Sequence, residues 1–77
     1  MKFASVKTIL LAAQENMQHG VIKTHNNAVC FSFENGDSSE DDIIGYNRDT
    51  EAISILNKVC NSYIDCDAIE TIEVYKE

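Results

Sequence analysis

The apolar residues of this chain change their spacing after residue 20, and that change restricts it to a fold of mixed elements. Val6, Ile9, Leu10, Ala13 and Met17 recur at i, i+3, i+4, i+7 and i+11, which is one face of a helix. Ser5 is the expected N-cap. Gly20 is the expected C′ stop, with His19 in the last turn, where an imidazolium suits the helix dipole. Beyond Gly20 the period becomes two. Val29, Phe31 and Phe33 alternate with Ala28, Cys30 and Ser32, and the aromatic set is expected to face a core. Val21 to His25 and Ala28 to Phe33 therefore read as a hairpin turning at Asn26-Asn27.

Asn35-Gly36 is the strongest turn signal in the chain, and a third strand is expected to end around Ile43, Ile44 and Tyr46. Residues 37–42 are polar throughout and read as a loop or as an edge strand guarded by charge. Asp49 or Thr50 is then the expected cap of a second helix, with Glu51 in its first turn. Its buried stripe is expected to be Ala52, Ile53, Leu56, Val59, Cys60 and Tyr63. After a connection at Asp65-Cys66-Asp67, residues 68–75 read as a last strand. Ile72 and Val74 take one face, and Ile69, Thr71 and Tyr75 the other. The expected architecture is a single α+β domain over residues 1–77, two-layered, in the order α-β-β-β-α-β, with an antiparallel meander sheet packed by two helices. A chain of 77 residues has little spare core for a buried catalytic cleft.

Charge sets the function classes. There are 13 Asp and Glu against 6 Lys and Arg, for a net charge of −7. Residues 1–33 carry +2 and residues 34–77 carry −9, so the C-terminal part dominates the field. Such a field repels nucleic acid and anionic membranes and speeds encounter with basic surfaces. The apolar run Ile9 to Ala13 is too short for a signal-peptide core, and no run approaches a membrane span. Three cysteines without a CxxC spacing fit reduced thiols better than a disulfide framework, so the expected compartment is the cytoplasm.

Motifs for chemistry fail when tested. Cys30, Cys60 and Cys66 match no zinc spacing and read as small hydrophobes. A cysteine nucleophile activated by His19 or His25 lacks a third orienting group. Counted from Asp37 as an EF-hand loop, position six is Asp42 where glycine is required, and position twelve is the cationic Arg48. Gly20, Gly36 and Gly45 form no phosphate loop. The chain is thus expected to be no enzyme and to need no cofactor or metal.

Two family patterns do not fit. Acyl carrier proteins place their modified serine in Asp-Ser-Leu, whereas Asp37-Ser38 is followed here by Ser39. The α-β-β-β-α order is similar to that of double-stranded RNA-binding domains, but their second helix opens on lysines. Arg48-Asp49-Thr50-Glu51 stands in that place. In length, acidity and helix–hairpin–helix layout the chain resembles the small acidic inhibitors encoded by bacteriophages, including anti-CRISPR proteins, some of which mimic DNA. The resemblance implies a stoichiometric binder that occupies a basic, nucleic-acid-binding surface. It implies no direct contact with nucleic acid or membrane. The residues matching it are Glu34, Asp37, Glu40, Asp41, Asp42, Asp49 and Glu51, whose carboxylates can engage Arg and Lys as phosphates do. Asp65, Asp67, Glu70 and Glu73 form a second acidic group, with Glu70 and Glu73 expected on opposite faces of the last strand. Two alternatives use different partners or surfaces. One is an immunity or antitoxin-like protein neutralising a toxic enzyme. The other is a small regulatory subunit acting through an apolar surface. A monomer or a homodimer formed along a strand edge fits each of these.

Overall fold

The computed structural model describes residues 1–34 and 41–75. Helix α1 (Phe3–Glu15) is followed by strands β1 (His19–Thr24), β2 (Ala28–Ser32), β3 (Ile43–Asn47), β4 (Ala52–Leu56) and β5 (Asn61–Asp65), a 3₁₀ turn (Cys66–Ala68) and β6 (Ile69–Tyr75). The strands form two antiparallel sheets, ordered β2-β1-β6 and β3-β4-β5. The α+β class, the leading helix and the antiparallel pairing agree with the sequence reading. The Asn35-Gly36 turn and Asp37 to Glu40 lie outside the described residues.

One contiguous core joins the helix to both sheets. Val6, Leu10 and Ala13 of α1 pack with Ile22, Phe31, Phe33, Ile53, Ile55, Ile64, Cys66 and Ile69. Each fully buried large apolar side chain contributes about 1.5–3 kcal/mol. Of the helix face expected from the sequence, Val6, Leu10 and Ala13 pack, Ile9 is half-buried, and Met17 lies beyond the helix and is 57% exposed. The alternation in β2 also holds, with Phe31 and Phe33 buried and Cys30 exposed. Two stitches link the sheets. The amide of Asp42 donates to the Ser32 carbonyl at 3.1 Å, and the Ser32 amide donates to Asp42 Oδ2 at 3.0 Å. The Met1 ammonium donates to the Cys66 and Ile69 carbonyls at 2.9 and 2.8 Å, tying the start of α1 to the 3₁₀ turn.

Several expectations are corrected. The second helix does not form, so among the described residues one α-helix packs the sheets, and residues 52–65 are the β4–β5 hairpin. Ile53, Ile55 and Ile64 are β-branched and fall on one strand face, with Ser54 between the first two on the other. Asn57 makes the turn, its Oδ1 accepting from the amides of Val59 and Cys60 at 2.9 and 3.0 Å. Neither Asp49 nor Thr50 is a helix cap. Both donate amides to Asn47 Oδ1 in the β3–β4 turn, which Glu51 closes at a φ of 54°.

Helix α1 also starts and stops elsewhere. Its N-cap is Lys2, with no side-chain capping bond, rather than Ser5. Met17, at a φ of 51°, takes the left-handed position expected of Gly20. The amide of Gln18 donates to the Ala13 carbonyl at 2.9 Å and that of Met17 to the Gln14 carbonyl at 3.2 Å, a Schellman stop. His19 and Gly20 consequently belong to β1. The β1–β2 turn centres on His25-Asn26, with the Thr24 amide donating to the Asn27 carbonyl at 2.9 Å, and neither central residue has a positive φ. A register shift between Lys23 and Thr24 marks a bulge in β6, which turns Ile69 onto the core face with Ile72 and Val74. Of the three cysteines only Cys66 is a core residue; Cys30 and Cys60 are exposed.

Candidate partner-binding surface

The predicted acids do not form one patch. Glu34 follows β2, and its Oε1 faces His19 Nδ1. Asp41 and Asp42 are half-buried just before β3, and Asp42 is engaged by the Ser32 amide. Asp49 and Glu51 are exposed in the turn at the far end of the same strand. A five-residue strand separates the two groups, about 17 Å at the usual rise. Asp37 and Glu40 lie outside the described residues. None of the described acids is buried.

The second acidic group is partly neutralised at home. Lys23 Nζ donates to Glu73 Oε2 at 2.8 Å, and the Tyr75 hydroxyl donates to Glu73 Oε1 at 3.2 Å. The Lys23 bond, then the Tyr75 bond, holds the Glu73 carboxyl below its ordinary pKa. Glu70 lies 3.2 Å from His25 Nδ1. Both glutamates are exposed, each set against the β1–β2 hairpin. Asp65 Oδ1 accepts from the Asp67 amide at 3.3 Å.

Between the two acidic ends of β3 lies the outer face of β3-β4-β5, and the pairing register dictates what it carries. Ile43, Leu56 and Asn61 form one row, Gly45, Ser54 and Tyr63 the next, and Asn47, Ala52 and Asp65 the last. Only Asp65, at the corner, is charged. Ile43 is 50% exposed, Leu56 44% and Tyr63 77%, and Val59 in the adjoining turn is 92% exposed. A shallow trough of 240 Å³ runs over Gly45 and Ser54 beside Tyr63. A Cβ at position 45 would stand 2.6 Å from Ser54 Oγ, so glycine keeps the trough open.

Sequence reasoning missed this face because it placed Leu56, Val59 and Tyr63 on the buried stripe of a helix. The available signal was the alternation Ile53-Ser54-Ile55, which puts Leu56 outward by parity. Among the described residues no group of His, Cys, Asp and Glu is arranged to hold a metal ion, and no helix is long and apolar enough to cross a membrane. Burial pushes the Cys66 thiol above its ordinary pKa, with Asp65 adding to the effect. Comparison with protein-family models, curated proteins and solved structures yields no match.

Proposed function

We propose that this chain is a non-enzymatic acidic interaction protein that binds and blocks a basic surface of a nucleic-acid-binding protein or complex, as phage anti-defence inhibitors do. One observation carries the reading: an uncharged, partly apolar sheet face bounded by carboxylates at both ends of β3. Interfaces are depleted of charge at their centre and polar at their rim. Exposed Tyr63 supplies the kind of aromatic anchor that dominates binding energy. The net charge of −7 steers the chain toward Arg- and Lys-rich surfaces, and carboxylates then occupy sites that phosphates would take. On this reading the protein acts in the cytoplasm, that of the host cell if it is phage-encoded.

A specific observation favours a second reading, a small regulatory subunit docking through apolar contact alone. Val59 and Tyr63 are the most exposed large apolar side chains described, and neither needs a charged partner. Salt separates the two, because screening weakens charge complementarity and spares apolar burial. Tagged protein is incubated with nuclease-treated bacterial lysate, eluted along a salt gradient, and the retained protein identified by mass spectrometry. The purified chain is then added to that protein's own nucleic-acid-binding assay. Competitive loss of nucleic-acid binding, weakened by Tyr63→Ala and by Asp49→Ala with Glu51→Ala, supports the first reading. Retention that is insensitive to salt, with nucleic-acid binding intact, rejects it in favour of the second.

A further inference from the structure

Resting on the partner-binding reading above, we propose that an extended, arginine-bearing segment of the basic partner adds as a further strand to the free edge of β5. This strand pairs with β4 on one side only, in regular register and without a bulge. Among the described residues, no backbone group of residues 61–65 bonds to anything beyond β4. An open edge of this kind is a template for another chain. A groove of 380 Å³ lies between β5 and the β1–β2 hairpin, so a strand has room beside that edge.

The other three edges are less open to a basic segment. Asp42 engages β2 at Ser32 through the two hydrogen bonds already described. The Met1 ammonium occupies the Ile69 carbonyl at the start of β6, at 2.8 Å. Tyr46 of β3 and the first turns of α1 line a cleft in which Lys2, Lys7 and Arg48 gather, and those cations repel a basic segment. The groove beside β5 has the opposite character. No Lys or Arg lines it, and Asp65 does. Asp65 has no ion pair with a described residue, and its Oδ1 accepts only from the Asp67 amide. Its other oxygen is left for a cation.

The two faces of β5 select what the added strand carries. Ile64 faces inward and is buried, and Val29 of β2 is half-buried in the groove's opposite wall. Residues of the new strand on that side fall between Val29 and Ile64 and are apolar. Tyr63 and Asp65 face outward, two positions apart on one strand face. Asn61 Nδ2 donates to the Tyr63 hydroxyl at 3.1 Å, which holds the exposed ring as a platform. A guanidinium stacks on such a ring and pairs with a neighbouring carboxylate, and an ammonium does neither as well. The segment is thus an alternation of apolar residues and arginines, matched in length to the five residues of β5. Main-chain hydrogen bonds supply affinity, and the alternate side chains supply specificity. A second copy of this chain fits poorly: its one arginine, Arg48, lies in a turn, and two copies of net charge −7 repel.

The test is a titration of the ¹⁵N-labelled full chain with the peptide acetyl-Ser-Val-Arg-Val-Arg-Val-Ser-amide, read from amide chemical shifts. Saturable shifts at residues 61–65 and at Val29, with slowed amide exchange in β5, are the expected result. Glutamate in place of both arginines should abolish binding. Two further peptides carry N-methyl groups, one on the valines and the other on the arginines. An added strand bonds to β5 along one of its own edges, so only one of these two should lose binding. Asp65→Asn and Tyr63→Ala, both at exposed side chains, should each weaken the parent peptide by about tenfold or more. Glu15→Gln, which removes a charge on α1, should leave it unchanged. Equal binding of the two methylated peptides would reduce the contact to charge attraction and overturn strand addition. Absence of saturation, or dimerisation of the chain alone with β5 protected, would overturn it too. Loss of nucleic-acid binding by the captured partner, with β5 unprotected in that complex, would overturn strand addition and leave the parent reading standing. Peptide binding at β5 with no such loss would support strand addition and reject the parent reading.

Discussion

Replacing Gly20 by alanine should be among the most damaging single changes available to this fold, because of where its Cβ would go. Gly20 lies in the central strand of its sheet, paired with Phe31 on β2 and Val74 on β6. A Cβ built there falls well inside the van der Waals radius of the Glu73 carbonyl oxygen and 2.8 Å from Phe31 Cζ. The Phe31 ring is 2% exposed and has little room to retreat, and the Glu73 oxygen belongs to the neighbouring strand. Relief requires β1 and β6 to separate. Overpacking of this kind costs about 1–3 kcal/mol, and each strained or lost ladder bond about 1 more. The lower chain entropy of alanine in a strand returns about 0.5–1 kcal/mol. The net loss is about 1–3.5 kcal/mol, against a total of roughly 4–12 kcal/mol for a chain this size. The melting temperature should fall by roughly 5–28 °C.

Urea unfolding followed by circular dichroism measures this loss directly, provided the m-value is unchanged. Gly45→Ala is the matched comparison. Its Cβ meets only Ser54 Oγ, at 2.6 Å, on a side chain that can rotate away, so its cost should stay below about 1 kcal/mol. A Gly20→Ala loss below about 0.5 kcal/mol, or one equal to that of Gly45→Ala, would refute the close approach of β1 and β6. A glycine serving as a helix stop would give about 1 kcal/mol, the ordinary cost of a side chain in the left-handed region.

Met17 holds the left-handed stop of α1 at a φ of 51°, so Met17→Gly should stabilise the protein by about 0.5–1 kcal/mol in the same unfolding assay; a loss would show that its side chain packs. The Lys23–Glu73 pair should persist between the two ordinary pKa values. Glu73, whose folded pKa is depressed, loses its contribution as pH falls through that value, and Lys23, whose folded pKa is raised, loses its own as pH rises through it. In Lys23→Gln the carboxyl carbon of Glu73 should titrate at a higher pH than in the wild type, and an unmoved midpoint would sink the pairing. Iodoacetamide on the native protein should label Cys30 and Cys60 and spare Cys66 until urea is added, as intact mass will show.

The amphipathic helix, the first hairpin, the aromatic core face of β2 and the last strand were all legible in the sequence. Each is a local pattern of period 3.6 or 2, bounded by local turn chemistry. Residues 52–63 were not. Ala52, Ile53, Leu56, Val59, Cys60 and Tyr63 match a helical stripe as well as Ile53, Ile55 and Ile64 match a strand face. Only pairing settles the choice, with Ile53 and Ile55 of β4 set between Tyr46 and Ile44 of β3 on one side and Ile64 and Ser62 of β5 on the other. The phase of β6 was hidden for a related reason: a bulge inserts a residue and reverses the parity of everything before it, and no residue type at 69–71 announces it.

The candidate surfaces divide in the same way. Composition and order alone determined that this chain carries an acidic C-terminal field, an α1 with Val6, Leu10 and Ala13 inward, and a core drawn from the apolar phase of its strands. Those properties follow from neighbours a few residues apart. Tertiary structure alone decided that Leu56 and Tyr63 face outward, that the acids before and after β3 bound an uncharged sheet face, and that Lys2, Lys7 and Arg48 share one cleft with Tyr46. These arrangements depend on which strands pair and in what register. The cleft brings together residues about forty positions apart, which one-dimensional periodicity does not record. The β3–β4–β5 pairs are closer, 5 to 13 positions apart, but their spacing fits a helical stripe as well as a strand face.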